Sequence, residues 1–175
     1  MKRKGLVALI LILLLLLAIC GAGFVMMNYA VVNFHLYPKS AQSLDLRAED
    51  LSLSQYRSLQ RSMPGCDILW NVPFQGRLIN SDAREITLTE LSEDDILTLA
   101  CFPDLTAVHA EGCTDYENLA HLRQSLPNVE LTYFITLGGL NYAQDADLVE
   151  LTDFTGEDVA RLAYLTNLST VIVSG

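Results

Sequence analysis

Three residues with reactive or metal-binding side chains stand at alternate positions near the middle of the chain: His109, Glu111 and Cys113. An imidazole beside a thiol can generate a thiolate nucleophile, and the three types together can bind a divalent metal ion. The chain contains no G-x-S-x-G, H-E-x-x-H, phosphate-loop or EF-hand pattern. The chemistry open to the three residues therefore depends on the elements that position them.

Those elements repeat. When the chain is shifted by 63 positions, Pro64 meets Pro127, Trp70 meets Tyr133, and the apolar pattern of 86–112 falls on that of 149–175. A fixed offset that preserves polarity over such a span is typical of a repeat protein. Repeat proteins usually present binding surfaces.

Within the repeat, the pattern L-x-x-L-x-L-x-x-[N/C] occurs at Leu105, Val108, Ala110 and Cys113. Looser copies put the first strand position of each unit at 44, 66, 86, 108, 129, 149 and 171. This resembles the leucine-rich repeat family, whose units run about 20–29 residues. The resemblance, to membrane-anchored extracytoplasmic bacterial members, covers 41–175 as about seven repeats. It implies an α/β solenoid with a parallel sheet on one face and short helices and extended segments on the other.

Helix starts agree with this spacing. Four hydroxyl residues precede apolar runs of helical periodicity and have Gln, Asp or Glu three positions later: Ser52, Ser92, Thr114 and Thr155. Each is a predicted N-cap. The predicted buried residues of these helices are Tyr56, Leu59, Ile96, Leu99, Leu119, Leu122, Val159 and Leu162.

Two intervals lack a helix pattern. Apolar and polar residues alternate over 66–74 and 129–137, which predicts an extended strand that ends at Gly76 or at Gly138-Gly139. Trp70 and Tyr133 occupy equivalent positions there, and we interpret them as core residues in preference to a stacking platform.

The N-terminus predicts membrane targeting. Residues 1–4 carry three cations, and 5–27 contain no charged residue, which is enough to cross a bilayer core as a signal anchor. Cleavage near Gly21-Ala22-Gly23 or lipidation of Cys20 are the alternatives, and each of the three exports the rest of the chain. We expect the N-terminus in the cytoplasm, a juxtamembrane linker or N-terminal cap over 28–40, and the repeat domain outside the cell membrane.

The exported part is acidic. All 21 Asp and Glu residues lie beyond the targeting segment 1–27, which is called the leader below. The leader contains three of the chain's 11 Lys and Arg residues. Such a surface repels nucleic acid, so we expect none as a partner. The cysteines beyond the leader are odd in number and lack C-x-x-C spacing, which indicates buried thiols more than a disulfide framework or a zinc site.

Residues between the apolar strand positions should face outward as one continuous surface. We predict a ligand-binding face for a protein or peptide, cationic if the carboxylates make the contacts, although the same pattern fits a solvated face without ligand. Its candidate residues are Asp45, Arg47, Asp67, Thr87, His109, Glu111, Glu130, Thr132, Glu150 and Thr152.

The resemblance also bears on the chemistry of His109. Cys113 occupies the family's inward ladder position, turned away from His109, and the expected carboxylate neighbour of His109 is Glu130, one strand over. We therefore predict no catalytic residue, no metal, no cofactor and no enzyme activity.

The predicted function is a membrane-tethered leucine-rich-repeat binding module. The alternative is an assembly subunit that self-associates through its C-terminal end, because the pattern stops within a unit and would leave Val171 and Val173 exposed. A truncated fragment of a longer repeat protein is the third interpretation.

Overall fold

The computed structural model describes residues 2–174, with side chains described from Leu11 onward. The predictions that involve Met1 and Gly175 lie outside these residues. The fold is mixed α/β, with short sheets and one N-terminal apolar helix. The chain divides into two compact units, Met1–Asn71 and Val72–Gly175.

The helices, in chain order, are α1 (Lys2–Asn28), α2 (Leu53–Ser62), α3 (Glu93–Leu99), α4 (Tyr116–Ser125) and α5 (Gly156–Arg161), the last followed by a 3-10 turn, Leu162–Tyr164. The strands are β1 (Tyr29–Val32), β2 (His35–Pro38), β3 (Ser43–Asp45), β4 (Asp67–Leu69), β5 (Asn71–Phe74), β6 (Arg77–Asn80), β7 (Glu85–Thr87), β8 (Ala107–His109), β9 (Glu130–Thr132), β10 (Phe134–Leu137), β11 (Leu140–Ala143), β12 (Leu148–Thr152) and β13 (Thr170–Ser174).

Helix α1 contains the predicted apolar segment 5–27. Its portion Leu11–Asn28 has a mean hydropathy of 2.5, and its side chains are exposed rather than packed on the rest of the chain. The helix is long and apolar enough to be a membrane span or a signal sequence.

The predicted repeat strands form parallel pairs, as β3–β4, β7–β8–β9 and β12–β13. Leu44 pairs with Ile68, Ile86 with Val108 and Val108 with Leu131, and Val149 with Val171. Five predicted first positions are therefore in register, but those at 66 and 129 are wrong by two residues. The reason lies in the helix ends: the N–H groups of Cys66 and Val129 bond to the carbonyls of Met63 and Leu126, so both residues belong to turns.

The seven strands belong to three separate sheets within the described chain, not to the single continuous sheet predicted. Each change of sheet falls where the connection contains a hairpin instead of a helix. The predicted nine-residue strands 66–74 and 129–137 are likewise wrong, because Trp70 and Tyr133 interrupt them and the next residues along the chain fold into the hairpins β5–β6 and β10–β11.

A third hairpin, β1–β2, occupies the region predicted as a linker or cap. All three hairpins turn through two residues with positive φ: Asn33-Phe34, Gln75-Gly76 and Gly138-Gly139. Two successive positive φ values define the type I′ turn, which matches the twist of two antiparallel strands. After each hairpin an alanine N–H closes the same short turn, from Ala41 to Pro38, Ala83 to Asn80 and Ala146 to Ala143. The hairpin and the strand after it are thus one module used three times.

Helices α2, α3 and α5 each follow one of the three modules, and α4 follows one additional strand, β8. Ser52, Ser92 and Thr155 form the predicted capping boxes with Gln55, Asp95 and Asp158. The prediction that Thr114 is the N-cap of α4 is wrong, because Asp115 caps this helix and its carboxylate accepts a hydrogen bond from the Asn118 N–H. A start at Tyr116 directs Tyr116, Leu119 and Leu122 into the core.

The cores contain most of the predicted apolar residues, and the differences lie at Val159 and at Leu162, which is only half-buried. Trp70 and Tyr133 are buried, which confirms their interpretation as core residues, and Phe74 and Leu137 are buried with them. Val159 is exposed instead of buried, since the short helix α5 turns Asp158 inward and Val159 outward. On β13 the side chains of Val171 and Val173 are exposed, as expected, and so is that of Ile172.

Candidate functional site

The sheet β7–β8–β9 brings polar side chains from three strands onto one face. Ile86, Val108 and Leu131 point inward and are buried. Because side chains alternate along a strand, the residues on both sides of each inward position face outward. Two rows of outward residues result, one before and one after the buried row.

The histidine row consists of Thr87, His109 and Thr132, which are paired partners across the sheet. His109 Nδ1 is hydrogen-bonded to Thr132 Oγ1 at 3.0 Å. Its Nε2 lies 3.9 Å from Glu85 Oε2; the Glu85 side chain is largely exposed, whereas that of His109 is half-buried. The bond to Thr132 fixes the ring and leaves Nε2 directed toward Glu85.

The acidic row consists of Glu85, Ala107 and Glu130, which are paired in the same way. Adjacent strands lie about 4.8 Å apart, so the backbones that carry the two glutamates are roughly 10 Å apart across Ala107. Ala107 is buried, and its short side chain lies between the two exposed glutamates. The row therefore has an exposed acidic group on each side of a small buried residue.

The shifted register changes the neighbours of two residues on the predicted ligand-binding face. Glu130 and Asp67 were expected beside His109 and Asp45, but Glu130 pairs with Ala107 and Asp67 pairs with Ser43. Thr132 pairs with His109 instead of Glu130, and Leu69 pairs with Asp45 instead of Asp67. The carboxylate near His109 is therefore Glu85, not Glu130.

Asp45, Arg47 and Asp67 belong to the region of the sheet β3–β4 in the first unit. The Arg47 guanidinium donates two hydrogen bonds to Asp45, Nε to Oδ1 at 2.9 Å and the second nitrogen to Oδ2 at 2.6 Å. These bonds lower the pKa of Asp45 to about 2. Arg47 thus neutralises the charge of Asp45, so this carboxylate is not free to bind a cationic ligand.

Glu150 and Thr152 lie on β12, paired with Ile172 and Ser174 on β13. Glu111 is exposed in the turn after β8. Of the ten predicted site residues, the histidine row and Glu130 therefore share one sheet face, while the others lie on different sheets or in a turn.

Cys113 is buried, as predicted, and does not join His109. Burial, together with the nearby charges of Asp115, Glu90 and Asp95, raises the pKa of its thiol to about 11. A thiol in this state is not a nucleophile near neutral pH. In the described part of the chain, no group of three or more His, Cys, Asp and Glu residues is placed to hold a metal ion.

Sequence reasoning missed Glu85 and Ala107. It considered the residues after each inward strand position and ignored the residue before it, which faces the same side. The displaced register at 129 also hid that Glu130 belongs with these two.

The chain has no match among family models, curated proteins or solved structures.

Proposed function

We propose that this protein is a membrane-tethered binding module in which the acidic row receives a cationic side chain of a protein or peptide. Helix α1 would anchor it, with the N-terminus in the cytoplasm and the remainder outside. The repeat portion would be a leucine-rich-repeat-like solenoid. No catalytic step is assigned to it.

The pairing of Glu85, Ala107 and Glu130 is the observation that supports the ligand class. A Lys or Arg side chain that enters above Ala107 can approach both carboxylates. Hydrogen bonds that involve an ionised group are stronger than those between neutral groups, and an Arg side chain can form two of them in parallel with one carboxylate. The histidine row supplies neighbouring hydroxyl and imidazole groups that can bond to the peptide backbone.

The architecture is supported by its periodic parts. Parallel strands alternate with capped helices, and the hairpin module recurs three times in the same form. A parallel strand pair that encloses a helix is the unit that solenoids stack.

Orientation is supported by the flanks of α1. Lys2, Arg3 and Lys4 precede the apolar segment, whereas the chain after it is acidic. By the positive-inside rule, the cationic flank stays in the cytoplasm.

The binding proposal can be tested with the full chain in phosphatidylcholine nanodiscs and a panel of ten-residue peptides. Each peptide would have Arg, Lys, Gln or Glu at its central position. We expect the Arg and Lys peptides to bind and the Gln and Glu peptides not to bind. Glu85→Gln and Glu130→Gln should each weaken binding about 5-fold, which corresponds to about 1 kcal/mol per exposed charged contact.

Glu93→Gln is the matched control, because Glu93 is an exposed carboxylate on α3 rather than on the sheet. It should leave the affinity unchanged. Equal losses in all three variants would show an effect of net charge alone and contradict a site at the acidic row.

A second candidate function is assembly through β13. Val173 is 57 % exposed and Ile172 is 45 % exposed on opposite faces of this strand, and exposed apolar edge strands pair with other strands. Light scattering of the full chain in detergent across protein concentrations tests it. A dimer that Val173→Lys removes would support assembly, and a monomer at every concentration would exclude it.

A further inference from the structure

The three hairpins share an inner face but differ in their outer face. The inward residues are apolar and buried in each copy: Ala30 and Val32, Val72 and Phe74, Ile135 and Leu137. Because the copies share one backbone design, differences in the outward residues do not arise from the fold. They indicate what each hairpin faces.

Of the three described hairpins, only the first is apolar or aromatic at every outward position. Its outward residues are Tyr29, Val31, Leu36 and Pro38, with Phe34 at the tip. The corresponding residues are Asn71, Pro73, Leu78, Asn80 and Gly76 in the second hairpin, and Phe134, Thr136, Asn141, Ala143 and Gly139 in the third. Phe34 is 100 % exposed, and the cross-strand partners Val31 and Leu36 are 61 % and 52 % exposed.

This hairpin is attached directly to the apolar helix. Helix α1 ends at Asn28 and β1 begins at Tyr29, so no linker separates them. The Lys39 N–H donates to the Asn28 carbonyl at 2.8 Å, and Lys39 Nζ donates to the Met26 carbonyl at 2.6 Å. Lys39 therefore ties the end of the hairpin to the last turn of α1 and restricts its swing.

The polar contacts of this hairpin are kept off its outer face. Glu49 accepts hydrogen bonds from Asn33 Nδ2 at 3.1 Å and Tyr37 OH at 3.3 Å, and its other partner is His35 Nδ1 at 3.0 Å. His35 pairs with the inward residue Val32, and Tyr37 pairs with the inward residue Ala30. The Glu49 carboxylate thus finds its hydrogen-bond partners in the turn and on the inner side of the hairpin, and the outer residues of β1 and β2 carry no charge.

We infer that the outer face of β1–β2 lies in the headgroup region of the bilayer that α1 enters. Its apolar surface continues that of α1, and Tyr29 and Lys39 at the junction are residue types typical of membrane interfaces. Phe34, Val31 and Leu36 face the boundary between headgroups and acyl chains. The inference rests on the proposed anchoring of α1 in a membrane but does not depend on the acidic row.

Two matched tryptophan variants test it in the full chain. Leu36→Trp places an indole on the outer face of the first hairpin, and Leu78→Trp places one at the corresponding position of the second, where Leu78 is 63 % exposed. Emission would be compared between nanodiscs of plain phosphatidylcholine and of phosphatidylcholine brominated near the top of the acyl chains. Trp70 is the only native tryptophan and is buried, so the wild-type protein gives the baseline.

We expect bromine to reduce the emission added by Leu36→Trp by about half or more, since interfacial side chains lie roughly 5–10 Å into the headgroup boundary. The emission added by Leu78→Trp should not change. An unquenched Leu36→Trp would overturn the inference, and a blue-shifted, concentration-dependent emission without quenching would assign the face to a second copy instead. Equal quenching of both variants would also overturn it, because the whole domain would then lie on lipid.

Phe34→Trp provides a second variant at a fully exposed side chain, where a substitution does not disturb the core. Its emission should be quenched like that of Leu36→Trp. Absence of quenching in a variant with the wild-type melting temperature would count against the inference.

Discussion

Asp158 Oδ1 accepts a hydrogen bond from the Gly138 backbone N–H at 3.3 Å, which joins the first turn of α5 to the turn of the hairpin β10–β11. The same relationship occurs in the other two copies, where Gln55 Nε2 donates to Asn33 Oδ1 and Gln75 Nε2 donates to Asp95 Oδ2. The third residue of α2, α3 and α5 therefore has two roles. It completes the capping box and holds the turn of the preceding hairpin.

The Asp158 contact predicts a pH-dependent stability. Hydrogen bonds from Thr155, first its side chain and then its N–H, and from the Gly138 N–H lower the pKa of Asp158 despite its burial. A carboxyl whose folded pKa lies below its unfolded value of about 3.9 contributes stability above that pH and loses it as the pH falls through the folded pKa. Asp158→Asn should lower the melting temperature at pH 7, and the difference from wild type should shrink below about pH 4.

Asp145→Asn is the control for this measurement, because Asp145 is an exposed carboxylate that takes no part in the capping box. Thermal melts followed by circular dichroism from pH 7 to pH 3 suffice. A difference between Asp158→Asn and wild type that stays constant over this range would contradict the assignment.

The cap of α4 gives a second prediction. Asp115→Ala should destabilise the fold by about 1 kcal/mol, because the Asn118 N–H loses its acceptor. Thr114→Ala should change the free energy of unfolding by less than about 0.5 kcal/mol. Urea denaturation of both variants decides between the two caps, and a larger loss for Thr114→Ala would restore the cap predicted from sequence.

Trp70 should be among the residues that stabilise the first unit most. Its ring stacks on Tyr56 with centroids 4.3 Å apart, and it is fully buried. Trp70→Ala should cost about 3–5 kcal/mol. Trp70→Tyr, which introduces the residue type of the equivalent position 133, should cost less. Equal losses in urea denaturation would show that ring packing at this site does not matter.

Cys113 should resist alkylation in the native protein. With a pKa of about 11, its thiolate fraction at pH 8 is far below that of an ordinary thiol. Iodoacetamide should label it about 100-fold more slowly in the folded than in the unfolded protein, as followed by peptide mass spectrometry. Labelling at similar rates in both states would mean that Cys113 is accessible and would reopen the pairing with His109.

Local patterns predicted the elements well where the physical cause is local. Hydroxyl residues followed by Gln or Asp indicated three of four N-caps, and inward strand positions such as Ile86 and Val108 were predicted from alternation. The N-cap of α4 was assigned to Thr114 in error because the neighbouring Asp115 is an equally good capping residue. The choice between them depends on which start buries Tyr116, a tertiary effect.

The hairpins and the acidic row were harder to predict. An alternating run such as 66–74 fits one long strand as well as two short ones, and only the break at Trp70 separates them. The first hairpin was missed because it lies 42 positions before the second instead of 63 and carries Asn33-Phe34 in place of glycine at its turn. The shift of β9 by two residues concealed that Glu130 shares a row with Glu85.

The most direct test of the acidic row is a charge exchange across the contact. In the peptide assay, the variant with both Glu85→Lys and Glu130→Lys should lose the Lys peptide and bind the Glu peptide that wild type rejects. If the preferred peptide charge reverses together with the two residues, the cation of the wild-type ligand binds at Glu85 and Glu130. Undiminished binding of the Lys peptide by this variant would contradict the proposed site.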